Sequence, residues 1–408
     1  MDVAGRRRRV LIIVENLPCP FDRRVWQEAR ALREHGYEVS IICPRGRGYD
    51  SRYEVLEGVH IYRHSLPVEA DTAVGYALEY GIALIMELVL TVRVALTRGF
   101  DVIHACNPPD TIFLIGALFK LFGKRFVFDH HDINPELYEA KFGRRDRWYR
   151  LLRRLERWTF ATADVSIATN ESYRRIAIER GGMDPSRVFV VRSGADLSRV
   201  RRLPARPELR RGKRYLVGYV GVIGRQEGLD LLLESVAFMR RELGRDDVHF
   251  TIVGDGTELQ SLREMSRALG VDDCVEFTGR VPDETLWEIL STADVCVNPD
   301  RANEMNDKST MNKILEYMAL GKPIVQFDLT EGRVSAGEAS LYARPNDTRD
   351  FALRLCELLD DPDRRERMGE IGRRRIETEL AWHHQVPNLL RAYDTVFTLQ
   401  PRTAVTAR

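Results

Sequence analysis

Short apolar runs alternate with longer amphipathic stretches along this chain. VLIIVEN (10–16) is apolar almost throughout, whereas FDRRVWQEARALREHG (21–36) places Val25, Ala29 and Leu32 at helical spacing and stops at Gly36. Further strands are expected at 37–44, 58–65, 101–108, 125–132, 164–170 and 187–194, with helical patterns at 72–98, 110–122, 143–160 and 171–180. After a polar stretch at 196–214 the alternation restarts. Strands fall at 215–221, 248–256, 274–280, 294–300, 323–328 and 340–344, and helices at 229–243, 257–269, 283–291, 309–320 and 348–360.

Strand, helix, strand with short connections implies a mostly parallel sheet covered on both faces. The predicted fold class is α/β: two doubly wound, Rossmann-like domains facing a central cleft. The expected boundaries are 8–195 for the first domain, 196–214 for a linker, 215–380 for the second domain, and 381–400 for a terminal helix that returns to the first. Two domains suit the 408 residues, and 44% hydrophobic with 30% charged residues suits packed cores.

A formal charge of +1 gives no general reason to expect a nucleic-acid partner. The six cysteines are scattered with no CxxC, which argues against a zinc knuckle or a disulfide framework and fits a cytoplasmic setting. YGIALIMELVLTVRVAL (80–96) contains Glu87 and Arg93 and is short for a membrane span, so a buried or surface-lying helix is expected. RRDRWYRLLRRLERWTF, within 143–160, carries Trp148, Leu151, Leu152, Leu155 and Trp158 on one face and arginines on the other. Peripheral contact with anionic lipid and an ordinary amphipathic surface helix both produce that pattern.

In parallel sheets, ligands bind outside the carboxyl ends of the strands. GYVGVIGRQEGLD (218–230) crowds Gly221, Gly224 and Gly228 into one strand-to-helix turn, where backbone N–H groups can approach an anion and Arg225 and Gln226 stand close by. A ligand-free tight turn has the same composition. Gly254 ends the next strand, and the backbone at Arg280 and Val281 can read a base edge. NDKSTMNKILEYMALGKP (306–323) sets Lys308 at the mouth of an expected helix and Glu316 on it. Lys308 can pair with phosphate, and Glu316 either accepts hydrogen bonds from vicinal hydroxyls or is solvated. TEGRVSAGEASLYARP (330–345) is expected to be a small-residue turn whose Gly337 and Glu338 region offers N–H groups. In the first domain, FDRR puts Asp22, Arg23 and Arg24 near the cleft, and FDHHDINPELY (128–138) ends a strand with His130, His131 and Asp132. Adjacent histidines on an extended chain point opposite ways and make a poor metal chelate; one is expected to meet substrate and the other to be packed.

FDRRVWQEARALREHGYEVSIICP, FDHHDINPELY, GYVGVIGRQEGLDLLLES, IVGDGTELQSLREMSRALGVDDCVEFTGRVPDETLWEILSTADVCVNP and NDKSTMNKILEYMALGKPIVQFD, taken in order, resemble the family 4 retaining glycosyltransferases of the GT-B fold, especially a branch that builds bacterial surface and exported polysaccharides. The resemblance implies metal-independent transfer of a hexose-type sugar from a nucleoside-diphosphate sugar, a UDP-sugar being the preferred donor, with no other cofactor. It implies a glycan acceptor, lipid-linked and at the inner face of the cell membrane. Donor contacts would fall on Gly221, Gly224, Arg225, Gln226, Gly254, Arg280, Val281, Lys308, Glu316, Gly337 and Glu338. Asp22, Arg23, Arg24 and His130 would meet substrate, and His131, Asp132 and Lys308 would serve the reaction. Two departures stand out. Lys308 occupies a place where the family often has glutamate, and Val222 and Glu227 stand where many members carry a diphosphate-binding Arg and Lys. A nucleotide-sugar epimerase, a small-molecule glycosyltransferase of secondary metabolism and a non-catalytic nucleotide-binding scaffold are the competing readings.

Overall fold

A computed structural model describes residues 6–65 and 73–399. The chain divides into two compact units, Met1–Arg192 with Gln385–Arg408, and Ser193–His384.

The first unit is built on eight strands: β1 (Arg9–Ile13), β2 (Glu38–Pro44), β3 (Tyr53–Leu56), β4 (Val59–His64), β5 (Val102–Cys106), β6 (Arg125–His130), β7 (Val165–Ala168) and β8 (Val188–Val190). Their order is β3-β4-β2-β1-β5-β6-β7-β8. Every pairing is parallel except β3 with β4, a short edge hairpin that apolar patterning did not reveal because β3 is half-exposed. The helices are α1 (Arg23–Glu34), α2 (Ala73–Thr97), α3 (Phe113–Lys120), α4 (Asn134–Phe142), α5 (Arg147–Thr162) and α6 (Glu171–Arg175). Leu11, Ile12 and Ile13 are fully buried, as strands covered on both faces require. Asp22 begins α1 by accepting the Val25 N–H at 3.1 Å, which turns Val25, Ala29 and Leu32 onto the sheet.

The second unit has six parallel strands: β9 (Tyr215–Val220), β10 (Val248–Val253), β11 (Val275–Gly279), β12 (Val295–Asn298), β13 (Ile324–Phe327) and β14 (Ser340–Ala343). Their order is β11-β10-β9-β12-β13-β14. Its helices are α7 (Leu229–Arg241), α8 (Leu259–Leu269), α9 (Asp283–Thr292), α10 (Glu304–Lys308), α11 (Asn312–Ala319), α12 (Thr330–Ala336), α13 (Thr348–Asp360) and α14 (Pro362–Arg375). α15 (Trp382–Thr398) starts within the second unit's span and continues through the returning segment of the first. In both sheets the strand order reverses at the first strand, β1 and β9, which creates a crevice at their carboxyl ends.

Three expectations change. The stretch 196–214 is docked on the second unit rather than linking: the Leu203 N–H donates to Ser291 Oγ at 3.0 Å, the Arg206 N–H to Thr292 Oγ1 at 2.9 Å, and Arg210 pairs with Asp294. Arg and Pro made it look unpacked, but Arg206 pairs with Glu288 on α9 and Arg210 with Asp294 just before β12. The helix expected at 309–320 starts three residues later, as α11 at Asn312, and a separate short helix, α10, precedes it, capped by Asn303 accepting the Asn306 N–H at 2.9 Å. The turn expected at 330–345 is helical as α12, and its first N–H, on Thr330, donates to Asp307 Oδ1 at 2.8 Å.

At the carboxyl ends of β5 and β6 a buried charge cluster holds the first unit together. Arg24, 8% exposed, donates through Nη2 to Asp129 Oδ1 at 2.9 Å, through Nη1 to the Val191 carbonyl at 2.8 Å and through Nε to His131 Nε2 at 3.0 Å. Its Nη2 also lies 3.1 Å from Glu28. His104 packs beneath, 3.3 Å from Asp129 and 2.8 Å from the Tyr393 hydroxyl. Burial pushes Asp129 up, but Arg24 and His131 outweigh it and hold the carboxyl well below the usual range. Burial and neighbouring Asp129 push Glu28 well up. The Arg24 guanidinium thus faces the carboxyl groups of both Asp129 and Glu28. Removing one partner of a buried pair costs roughly 3–5 kcal/mol. Arg24→Met is expected to lower the urea unfolding midpoint of the first unit by a corresponding amount; an unchanged midpoint would show that the cluster does not hold these strand ends.

Candidate active site

The first unit's strand-end region is organised by Asn107, which sequence patterning did not single out. Its Oδ1 accepts the N–H groups of His131 at 2.8 Å and Asp132 at 3.2 Å. Its Nδ2 donates to the Asp132 carbonyl at 2.7 Å and to Asp110 Oδ1 at 2.9 Å. Asn134 Nδ2 completes Asp110 by donating to Oδ2 at 2.7 Å. His131 is 13% exposed and lies 2.6 Å from Asp129, so its ring is fixed from below while its edge stays accessible. Asp132 is partly exposed beside it, and burial raises its carboxyl above the usual range.

His130 does not meet substrate. It is fully buried among the rings of Phe128, Phe160 and Tyr173, and burial together with Arg180 depresses it to about 3. Of the two adjacent histidines it is the packed one. Arg24 likewise faces the buried cluster, not an open surface, while Asp22 is the buried cap of α1 and Arg23 is exposed. Glu28, Asp129 and His131 lie close enough to share an ion, as do His104, Cys106 and Asp129. The Arg24 guanidinium already pairs with Asp129, the carboxylate common to both sets, and with Glu28.

In the second unit the glycines allow backbone to meet backbone. A Cβ on Gly254 (φ +145°) would stand 1.8 Å from the Gly221 carbonyl oxygen, and one on Gly228 (φ +61°) 2.1 Å from that of Pro299. The Gly221 N–H donates to Val253 O at 3.1 Å and the Ile223 N–H to Asp255 O at 3.0 Å, which locks the turn after β9 onto the end of β10. From the other side, the Arg301 N–H and Asn306 Nδ2 donate to the Gln226 carbonyl at 3.0 and 2.9 Å.

The cation at this turn is Lys313, which sequence reading passed over. Its Nζ is 2.7 Å from Asp300 and 4.8 Å from the Tyr219 ring centre, and a Cβ on Gly221 would lie 3.3 Å from its Cε. Glu227 stands in the same turn, its carboxylate drawn in by the Gly224 N–H; burial raises it to about 7 despite Lys313. Lys308 lies at the end of α10, with Nζ 2.6 Å from the exposed Glu304. Glu316 sits one turn after Lys313 on α11, 15% exposed, with Arg199 3.6 Å away. Residues three apart on a helix share a face.

The remaining expected donor residues are spread around this centre. Arg225 is exposed on the turn, and Arg280 and Val281 follow β11. Gly337 (φ +53°) and the exposed Glu338 follow α12, so the Ser335 and Ala336 N–H groups are inside a helix and do not form an open turn.

Residues 22–199 match the family description Glycosyltransferase Family 4, and residues 214–361 match Glycosyl transferases group 1. A D-inositol 3-phosphate glycosyltransferase of Nocardia farcinica is 31% identical over 250 residues, 58% of this chain and 54% of that protein. The chain thus spans about half the length of the first curated relatives it matches. Sucrose-phosphate synthase from Thermosynechococcus elongatus superposes with a TM-score of 0.77 at 18% identity, covering 96% of this chain and 99% of that one. HepE of Anabaena, solved in complex with UDP-glucose, superposes at 0.70 and 15% identity, covering 96% and 100%. The chain is a GT-B-fold protein related to the family 4 and group 1 glycosyltransferases.

Proposed function

We propose that this chain is a retaining, metal-independent glycosyltransferase that moves a hexose-type sugar from a UDP-sugar to a hydroxyl of a lipid-linked glycan. The observation that carries this reading is the shared face of α11. Lys313, poised against the glycine turn, meets the diphosphate, and Glu316, one turn on, accepts the ribose hydroxyls. Lys313 takes the part first expected of Lys308, and it supplies the positive charge that Glu227 leaves missing from the turn. The complex of HepE with UDP-glucose supports the choice of donor nucleotide.

The chemistry follows from where charge develops. The acceptor oxygen bonds to the anomeric carbon as the bond from that carbon to the phosphate oxygen breaks, and the departing phosphate takes the acceptor proton. Charge builds on the leaving diphosphate, and a fixed ammonium there stabilises the transition state more than the ground state. His131 and Asp132, held by Asn107, orient the acceptor hydroxyl.

Lys313→Ala is expected to lower kcat/KM for transfer by roughly 10²-fold or more, the scale of a lost oxyanion donor, whereas Lys308→Ala lowers it only a few-fold. The reverse ranking would return the phosphate role to Lys308. Glu316→Gln is expected to weaken UDP binding in calorimetry, and an unchanged affinity would remove the ribose assignment. The Glu227 carboxyl, at about 7, is neutral below that pH and an anion above it. UDP-glucose, whose diphosphate does not titrate in this range, should therefore bind more weakly as pH rises from 6 to 8.5. Glu227→Gln should bind more tightly at pH 8.5 and lose most of that dependence. A wild-type affinity that is flat with pH would place Glu227 away from the diphosphate.

A further inference from the structure

An apolar groove of about 270 Å³ lies in the first unit between α2, α4 and α5. Tyr80 and Leu84 form one wall, Leu137 and Phe142 a second, and Trp148 and Leu152 a third. Asp110 and Asn134 close its polar end. Asp110 is held by Asn107, the residue that also fixes the backbone of His131 and Asp132. The groove therefore starts beside the residues assigned to the acceptor and runs away from them between helices.

Its rim is apolar as well. α2 packs one face on the sheet, with Ala83, Glu87, Thr91 and Val94 fully buried. Its opposite face carries Leu78, Ile85, Val89, Val92 and Leu96 in one line, with Ile85 64% and Leu96 82% exposed. At 1.5 Å per residue, that line is about 27 Å long. On α5, the exposed Leu151 and Trp158 stand one behind the other at i and i+7, and Arg147 and Arg154, also seven apart, run beside them. Arg150, Arg153 and Arg157 extend the exposed basic face.

We propose that this face seats on an anionic bilayer and that the groove takes one hydrocarbon chain of the lipid-borne acceptor, leaving its head beside His131 and Asp132. This rests on the lipid-linked acceptor proposed above. A continuous apolar line edged by guanidinium groups matches the boundary between acyl chains and anionic headgroups. A second copy of the chain would set arginines against arginines, which disfavours self-association as the occupant.

Gly81 provides a clean test. It lines the groove, and a Cβ there meets nothing within 4 Å, so Gly81→Phe sets a ring at the groove with no clash at its first side-chain atom. In a background with Trp26, Trp158, Trp287 and Trp382 replaced by Phe, the remaining Trp148 reports on the groove. Vesicles of phosphatidylcholine with phosphatidylglycerol carrying brominated chains are expected to quench Trp148 fluorescence. Gly81→Phe should keep the far-UV circular dichroism and vesicle co-sedimentation but lose the quenching. Ile85→Glu with Val89→Glu should weaken co-sedimentation about tenfold or more. Vesicle binding without Trp148 quenching, or quenching that survives Gly81→Phe, would overturn the groove assignment. So would a stable dimer in analytical ultracentrifugation that Ile85→Glu dissolves. UDP-glucose calorimetry on the same samples separates the two readings: lost donor binding in the parent sinks the transferase reading and leaves the groove, while lost quenching with intact donor binding sinks the groove alone.

Discussion

Lys313 stands 2.7 Å from Asp300 and over the ring of Tyr219, and the strand ends of the second unit are arranged around that ion pair. Asp300 is almost fully buried and follows β12, and burial keeps its carboxyl above the usual range even beside the ammonium. Its second oxygen, Oδ2, has no protein partner. A buried carboxylate holding a cation is a stiff mount, because swinging Lys313 away would leave Asp300 charged and alone. The mount in turn needs the glycines. Gly221 leaves room for the lysine stem, and Gly254 and Gly228 let neighbouring turns close to backbone contact.

The first unit solves a related problem with a different device. β6 carries Asp129 and α1 carries Glu28 into the interior, and Arg24 meets both. This arginine is spent on the scaffold, which frees the exposed edges of His131 and Asp132 for work at the surface. Asn107 is the joint between scaffold and surface. One amide holds the two backbone N–H groups, the Asp132 carbonyl and Asp110 together. Through Asp110 and Asn134 the same network reaches the apolar groove.

Much of this was legible in the sequence. Mostly apolar runs such as VLIIVEN and the Gly-rich stretch at 218–230 identify parallel strands and the turn between β9 and α7, because double-faced burial and close backbone approach each leave a compositional mark. What failed did so for identifiable reasons. Lys313 looked like one more polar helix position, because its buried partner Asp300 and the glycine turn at Gly221 meet it only in three dimensions. His130 and His131 are chemically identical in the sequence, and only packing of the first against Phe160 and Tyr173 separates them. Arg24 appeared available because charged residues are rarely buried; Asp129, 105 positions away in the chain, is what makes burial tolerable.

The claim on which the rest turns is that Lys313, not Lys308, holds the donor's charge. A crystal structure of the protein soaked with UDP-glucose tests it directly. The account predicts a diphosphate oxygen within hydrogen-bonding distance of Lys313 Nζ and ribose hydroxyls on Glu316. A diphosphate bound by Lys308, with Lys313 still turned to Asp300 alone, would contradict it.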